Sequence, residues 1–221
     1  MDGTLLRRAA AEHAAALREA IGEVYGVEST GTKVEAAGRT DVEITRAILL
    51  QLGVSARRID DGLADLRVAA SEAYARRVPA DLSSTVLPGM ADLLEELAPR
   101  DDVLLSLVTG NLQPIARLKL AAAGIGRFFP GGQGGFGSDS EDRTRLPAVA
   151  RARAGTADAP HPRERTVVIG DTPRDIACAR ADGVRALAVA TGPYRVNELG
   201  EADAVAADAH ALRGLIAALL V

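Results

Sequence analysis

Apolar residues recur at every third or fourth position along much of the first third of the chain. Between Leu5 and about Gly26 this spacing predicts a helix. A second helix is predicted at 41–52, where an Asp opens the segment as a cap, and a third at 56–77. Strand signals are few in this region, so the sequence predicts a helical unit near the start of the chain.

From about residue 89 onward, short apolar runs alternate with helical patterns. Such alternation argues for a parallel sheet with helices on both of its faces. The predicted strands lie at 103–109, 166–170, 184–190 and 203–206, and the predicted helices at 89–98, 113–123, 143–154, 174–182, 194–199 and 208–219.

Composition and charge narrow the classes of partner. A chain of 221 residues can bury a sizeable core, either as one domain with an insertion or as two small domains. The net charge of −4 gives no electrostatic argument for a nucleic-acid partner. No apolar run approaches the roughly 20 residues of a membrane span, and the start has no signal-peptide pattern. We therefore expect a cytoplasmic protein with neither nucleic acid nor membrane as partner, and leave its oligomeric state open.

An acidic segment follows the strand predicted at 166–170. Asp171 lies at the carboxyl end of that strand, where open α/β sheets bind ligands, and Asp175 falls in the first turn of the next helix. Two carboxylates so placed can hold Mg²⁺, which prefers oxygen ligands. The alternative is that both acids only cap the helix and favour its dipole.

A second polar segment, Thr109-Gly110-Asn111, ends the strand predicted at 103–109. The threonine can offer a hydroxyl and a backbone N–H to a phosphate oxygen, and the glycine lets the backbone approach closely. The alternative is an ordinary Ser/Thr cap before a helix.

The first residues, Met1-Asp2-Gly3-Thr4, would by themselves indicate only a turn. Together with the Thr109 and Asp171 segments, in this order, they resemble the motifs of the haloacid dehalogenase-like superfamily, especially its phosphoglycolate phosphatase-like members. The resemblance covers nearly the whole chain. It implies an α/β fold, a doubly wound parallel sheet in a Rossmannoid core at 1–13 and 83–221, with an inserted α-helical cap at 14–82.

The resemblance also implies an activity. It is the Mg²⁺-dependent hydrolysis of a small phosphorylated metabolite, a phosphomonoester, through an aspartyl-phosphate intermediate. Asp2 would be the general acid and base and would also bind the metal with Asp171 and Asp175. The phosphate would be held by the Thr109-Gly110-Asn111 segment. From the cap, Arg39 resembles a residue that reaches the substrate, and the alternative is that it lies in solvent beside a helix cap at Thr40 or Asp41.

The chain departs from the family pattern in two places. The nucleophilic Asp of the first motif would lie just upstream of Met1, so we expect the natural chain to start several residues earlier. A bridging lysine is expected between the Thr109 and Asp171 motifs, but the two lysines, Lys33 and Lys119, lie outside that window. We therefore predict that Arg143 takes the lysine's place, with Arg145 as the weaker choice. These departures keep open the alternative of a catalytically inactive binding protein.

The remaining reactive side chains receive no role in chemistry. Cys178 lies on the helix after the acidic motif and is predicted to be a small core residue. A nucleophilic cysteine would need a histidine partner, and His13, His161 and His210 fall in a helix, a Pro-rich loop and the last helix.

Overall fold

Helices and short parallel strands make up the structure. The computed structural model describes residues 1–7 and 9–220, and within them it forms eight α-helices and five β-strands. The helices are α1 Ala11–Tyr25, α2 Asp41–Gln51, α3 Ala56–Arg77, α4 Met90–Leu97, α5 Gln113–Ala122, α6 Leu146–Ala154, α7 Pro173–Asp182 and α8 Ala209–Ala217. The strands are β1 Val108–Thr109, β2 Gly135–Phe136, β3 Val167–Gly170, β4 Arg185–Val189 and β5 Ala204–Ala206.

Helices α1, α2 and α3 pack around a shared apolar core. On α1 the buried residues follow the spacing of one helix face, and they are His13, Ala16, Leu17, Ala20, Ile21 and Tyr25. Leu112 and Ile115, at the start of α5, belong to the same core. The helical cluster therefore sits directly over the end of the Thr109 segment. The limits of a cap at 14–82 stay a prediction.

The strands pair in parallel, which confirms the predicted α/β class. Strand β1 pairs with β2, and β3, β4 and β5 form a second sheet in that order. Helix α7 connects β3 to β4, as a crossover between parallel strands requires.

An apolar cavity of about 560 Å³ separates the two sheets. Residues 103–108 line it on one side and residues 166–169 on the other, and we call this cavity the apolar slot. Side chains of α4 and α8 also line it, among them Leu94 and Ile216, while Met1 lies in its wall. The slot therefore lies between β1 and β3.

Two sequence predictions are corrected here. The strand predicted at 103–109 is regular only at Val108–Thr109, because its one partner, β2, is two residues long and its other side borders the slot. The helix predicted from Leu5 begins at Ala11. Before it, the Met1 carbonyl accepts the N–H groups of Leu5 and Leu6 at 2.7 and 3.1 Å, which forms a turn that buries Leu6 completely.

Shorter elements also differ from the prediction. The short helix predicted at 194–199 is a 3₁₀ turn at Val196–Glu198, and the helix predicted at 143–154 begins with a 3₁₀ turn at Arg143–Arg145. Strand β2 has no counterpart among the predictions, because two residues in a glycine-rich stretch carry no periodic signal.

Candidate active site

The turn at Asp2-Gly3-Thr4 brings the carboxyl ends of β1 and β3 together. Thr4 Oγ1 donates to Asp171 Oδ1 at 2.7 Å, and Asn111 Nδ2 donates to Asp2 Oδ2 at 3.0 Å. Gly3 has a φ of 81°, and a Cβ at this position would lie 2.0 Å from Asp171 Oδ2. Only glycine fits both the backbone conformation and the space. Residues predicted from three separate segments therefore meet at one place.

Thr109 presents a buried hydroxyl at this place. Its Oγ1 accepts the backbone N–H of Asn111 and one Nδ2 hydrogen, both at 3.2 Å. Since these bonds use the acceptor side of the oxygen, its proton is left to donate. Among the described residues, Asn111 Oδ1 is buried with no hydrogen-bond partner.

Lys119, which lies outside the window predicted for the bridging lysine, contacts Asp2. Its Nζ lies 3.0 and 3.1 Å from the two carboxylate oxygens, and its side chain is 0% exposed. Burial alone would raise the pKa of Asp2, but the ammonium of Lys119 contributes to holding that pKa below its usual value. A sequence signal for Lys119 exists, since it falls on the apolar stripe of α5 with Ile115, Ala116 and Leu120. A lysine on a buried helix face is rare unless it is paired.

Arg143 contacts Asp175 instead of Asp2. Its Nη2 donates to Asp175 Oδ1 at 2.6 Å, while Asp175 Oδ2 accepts from the N–H of Asp171 and from both the N–H and hydroxyl of Thr172. Burial raises the pKa of Asp175, but the charge of Arg143 and these hydrogen bonds lower it by more than burial raises it. The pKa of Asp175 therefore lies below its usual value. Both oxygens of Asp175 are thus engaged in anchoring α7. Arg145 is exposed.

The loop before α2 rests on the Thr109 segment. Asp41 N donates to the Gly110 carbonyl at 2.8 Å, and a Cβ at Gly110 would lie 2.1 Å from the Arg39 carbonyl oxygen. Thr40 caps α2, since its Oγ1 accepts the N–H of Glu43. The guanidinium of Arg39 lies 3.0 Å from the Glu43 carboxylate. Thr40 is therefore the N-cap of α2, as the alternative interpretation predicted, and the Arg39 backbone lies against Gly110.

Comparison with known families identifies the chain's relatives. A model of the haloacid dehalogenase-like hydrolases matches residues 1–180, and a related hydrolase model matches residues 146–215. The chain belongs to the haloacid dehalogenase-like hydrolase family. A search of curated proteins gave no match.

Solved structures of this family share the fold at low sequence identity. CbbY from Rhodobacter sphaeroides, solved with phosphate, is 20% identical over 94% of this chain and 91% of its own, with a TM-score of 0.63. A hydrolase from Pseudomonas syringae is 20% identical over 98% and 95%, with a TM-score of 0.62. The β-phosphoglucomutase of Clostridium difficile is 15% identical over 99% and 93%, with a TM-score of 0.63.

Asp171 is the carboxylate of this family member that best suits a cation. It is 3% exposed, and burial, with the nearby Asp175 carboxylate, raises its pKa against the lowering effect of the Thr4 hydrogen bond. A buried carboxylate in this state gains most from a hard cation. Asp2, by contrast, is partly exposed and paired with Lys119. Within the described parts of the chain, no three His, Cys, Asp or Glu side chains gather as a ready metal cluster.

Cys178 and two of the histidines lie apart from this site. Burial raises the pKa of Cys178 to about 12, and its Sγ lies 3.0 Å from the Arg143 carbonyl, so it is a protonated packing residue as predicted. His161 and His210 take no part in the contacts around Asp2. His13 does take part in these contacts, because its Nδ1 lies next to the Lys119 ammonium. Of the helices in residues 1–7 and 9–220, none has both the length and the apolar character needed to cross a bilayer.

Proposed function

We propose that this hydrolase is a phosphatase that acts on a small phosphomonoester metabolite. One observation carries the proposal. The carboxylate of Asp2 lies within hydrogen-bond distance of the Lys119 ammonium and of the Asn111 amide, beside the hydroxyl of Thr109. An acid/base group, a fixed positive charge and neutral donors are thereby held at one strand end, as the transfer of an anionic phosphoryl group requires.

The phosphate is bound by donors that the structure brings together. The Thr109 hydroxyl keeps a proton to donate, while both Nδ2 hydrogens of Asn111 already bond Asp2 and Thr109, so Asn111 gives up one of these bonds when phosphate binds. The backbone N–H of Gly110 is the further donor in this proposal. In this proposal Lys119 takes the bridging role predicted for Arg143. Arg143 acts indirectly, because it holds the Asp175 carboxylate in place. Arg39 contributes from the loop over Gly110 and reaches a second anionic group of the substrate when it leaves Glu43.

Asp2 moves the proton in both steps. Its carboxyl proton passes to the leaving oxygen as a nucleophilic carboxylate forms a bond to phosphorus and the P–O bond to the substrate breaks, so the alcohol departs and the phosphoryl group stays on the nucleophile. The resulting Asp2 carboxylate then takes a proton from water as the water oxygen attacks phosphorus and the bond to the nucleophile breaks, which releases inorganic phosphate and restores both carboxyl groups.

A covalent aspartyl-phosphate route also needs a second carboxylate as nucleophile. The apolar slot has Met1 in its wall and extends between the strands whose carboxyl ends meet at the site. An extended apolar segment that fills the slot and ends in a carboxylate would present that carboxylate next to Asp2 as the nucleophile of this route.

Mg²⁺ fits the donor set in part. The residues that would hold it are Asp2 and Asp171. Asp175 would support Asp171, because the Asp175 carboxylate accepts the backbone N–H of Asp171. The ion would offset the negative charge of the phosphoryl group. Asp175 itself fits less well, because both of its oxygens already accept hydrogen bonds.

The test is phosphate release from a panel of phosphomonoesters in Mg²⁺. Two forms of the protein are compared, residues 1–221 and the same chain preceded by about six apolar residues that end in Asp, the length of one strand. A matched third form ends in Asn. We expect release from the Asp form alone, and its loss in that form when Asp2 is changed to Asn.

Each other outcome has a distinct meaning. Equal release from the Asp and Asn forms would retain the phosphatase and exclude the covalent route through the slot. No release from any form, with phosphate still bound, would overturn the phosphatase in favour of a binding protein.

A further inference from the structure

A buried chain of hydrogen bonds leads from the site into the helical cluster. The Nζ of Lys119, already bonded to Asp2, lies 3.1 Å from Nδ1 of His13, and the Nε2 of His13 lies 2.9 Å from Oδ2 of Asp41. The same Asp41 oxygen accepts the backbone N–H of Leu112 at 2.8 Å. Lys119, His13 and Asp41 are 0, 7 and 3% exposed, so water competes little for these bonds.

The chemistry of the donors fixes the state of His13. A lysine ammonium has three donors and no acceptor, so the Nδ1 it contacts must carry a lone pair. The proton of the neutral ring is then on Nε2, where it donates to the Asp41 carboxylate. Tyr74 packs edge-on to the ring at a centroid distance of 5.8 Å and encloses it further. His13 thus accepts from the ammonium on one side and donates to a fixed anion on the other.

Asp41 is itself held by the other side of the site. It is the first residue of α2, its backbone N–H is bonded to Gly110, and its carboxylate is bonded to Leu112. The Asp41 carboxylate therefore links His13 on α1 to Leu112, which follows the Thr109 segment.

We infer that His13 and Asp41 are positioning residues that aim the Lys119 ammonium at Asp2. A lysine has a flexible four-carbon stem and freely rotating donors, so its direction depends on its acceptors. Here those acceptors are the two Asp2 oxygens and His13 Nδ1, and the last is fixed by Asp41. The consequence for catalysis rests on the proposed function. The direction of the Lys119 ammonium does not depend on that function, and it is measured separately.

The lysine content of the chain offers a direct probe. Lys33 and Lys119 are the two lysines in the sequence, and Lys33 is exposed. In protein labelled with ¹⁵N-lysine, the buried ammonium of Lys119 should give a signal in slow exchange with water, and Lys33 serves as the fast-exchanging reference. In unmodified protein labelled with ¹⁵N-histidine, His13 should show an unprotonated Nδ1 and a protonated Nε2. A protonated Nδ1 would overturn the inference without any variant.

Two variants separate the two halves of the chain of bonds. His13→Asn keeps an acceptor near the position of Nδ1, and His13→Gln keeps a donor near that of Nε2. We expect the slow Lys119 signal to persist in His13→Asn and to be lost in His13→Gln. Asp41→Asn, which removes the anion that fixes the tautomer, should also lose it and serves if the His13 variants fold poorly. Persistence of the signal in His13→Gln and Asp41→Asn would overturn the inference.

Binding of inorganic phosphate supplies the functional readout. We expect the dissociation constant to rise about tenfold in His13→Gln and to change less than about twofold in His13→Asn, because only the first loses the directed charge. A merely structural role would lower the unfolding midpoint of both variants without this difference, and would contradict the inference. Failure of the unmodified protein to bind phosphate would count against the proposed function, while the lysine signals would still decide the inference.

Discussion

At the scale of single residues, the site depends on charges that are held away from water. The Lys119 side chain is fully buried, whereas its partner Asp2 is 34% exposed. A buried ammonium requires its anion far more than a surface lysine does, because burial penalises an uncompensated charge. The same reasoning applies to the pair of Arg143 and Asp175, whose side chains are 11 and 10% exposed.

Replacing Lys119 by Met should cost both stability and anion binding. The change leaves Asp2 and His13 without their shared donor, so we expect the free energy of unfolding to fall by about 2 kcal/mol. Urea denaturation measures the change, and phosphate titration should show weaker binding. Lys33→Met is the matched control on an exposed lysine and should alter neither quantity. Unchanged phosphate binding in Lys119→Met would argue against its role in the site.

Replacing Arg143 by Gln should change how stability depends on pH. Because the folded-state pKa of Asp175 lies below its ordinary value of 3.8, its ionised form stabilises the fold above that value and this contribution is lost as the pH falls through the folded pKa. In Arg143→Gln the Asp175 carboxylate stays buried but loses its cationic partner. The stability difference between the two proteins should therefore be largest near pH 7 and shrink below about pH 4.

Urea denaturation at the two pH values tests this expectation. Arg145→Gln, an exposed arginine two positions away, is the control and should follow the unmodified protein. A difference that grows on acidification would contradict the assigned ion pair.

At the scale of elements, sequence periodicity correctly predicted the helices and strands whose structure depends mainly on their own residues. The helix predicted at 56–77 occurs as Ala56–Arg77, and the strand predicted at 166–170 as Val167–Gly170. The strand predicted at 103–109 fails because strand structure needs a neighbour, which lies outside the segment. Lys119 was missed for the same kind of reason. Its partners, Asp2 and His13, are more than 100 positions away in sequence.

Two glycine-to-alanine changes should have opposite effects on stability. At Gly110 the added methyl would meet the Arg39 carbonyl oxygen and the Thr40 Cα at 2.1 and 2.8 Å, so we expect a loss of about 1–3 kcal/mol. At Gly214, inside α8, nothing lies within 4 Å of the added Cβ. There the higher helix propensity of alanine should add about 0.5–1 kcal/mol. Thermal or urea unfolding of both variants checks the pair, and a neutral Gly110→Ala would show that the α2 loop does not rest on this strand end.

At the scale of the whole molecule, the apolar slot divides the sheet into regions of unequal protection. Strand β3 pairs with β4 over four residues, whereas residues 103–107 border the slot and precede the two-residue β1. Amides in 103–107 should therefore exchange with deuterium faster than those of β3. Exchange measured by mass spectrometry on peptides from the two segments tests this. Equal protection of both would indicate that the slot is closed in solution.

We also expect the slot to affect how residues 1–221 behave in concentrated solution. Strand edges beside an apolar cavity are places where another chain can add its own strand, and sheets exposed in this way tend to join edge to edge. We expect residues 1–221 to self-associate as concentration rises and to precipitate on heating instead of refolding. A peptide or fused strand that fills the slot should keep the protein monomeric, so light scattering reports whether the two halves of the sheet have been joined.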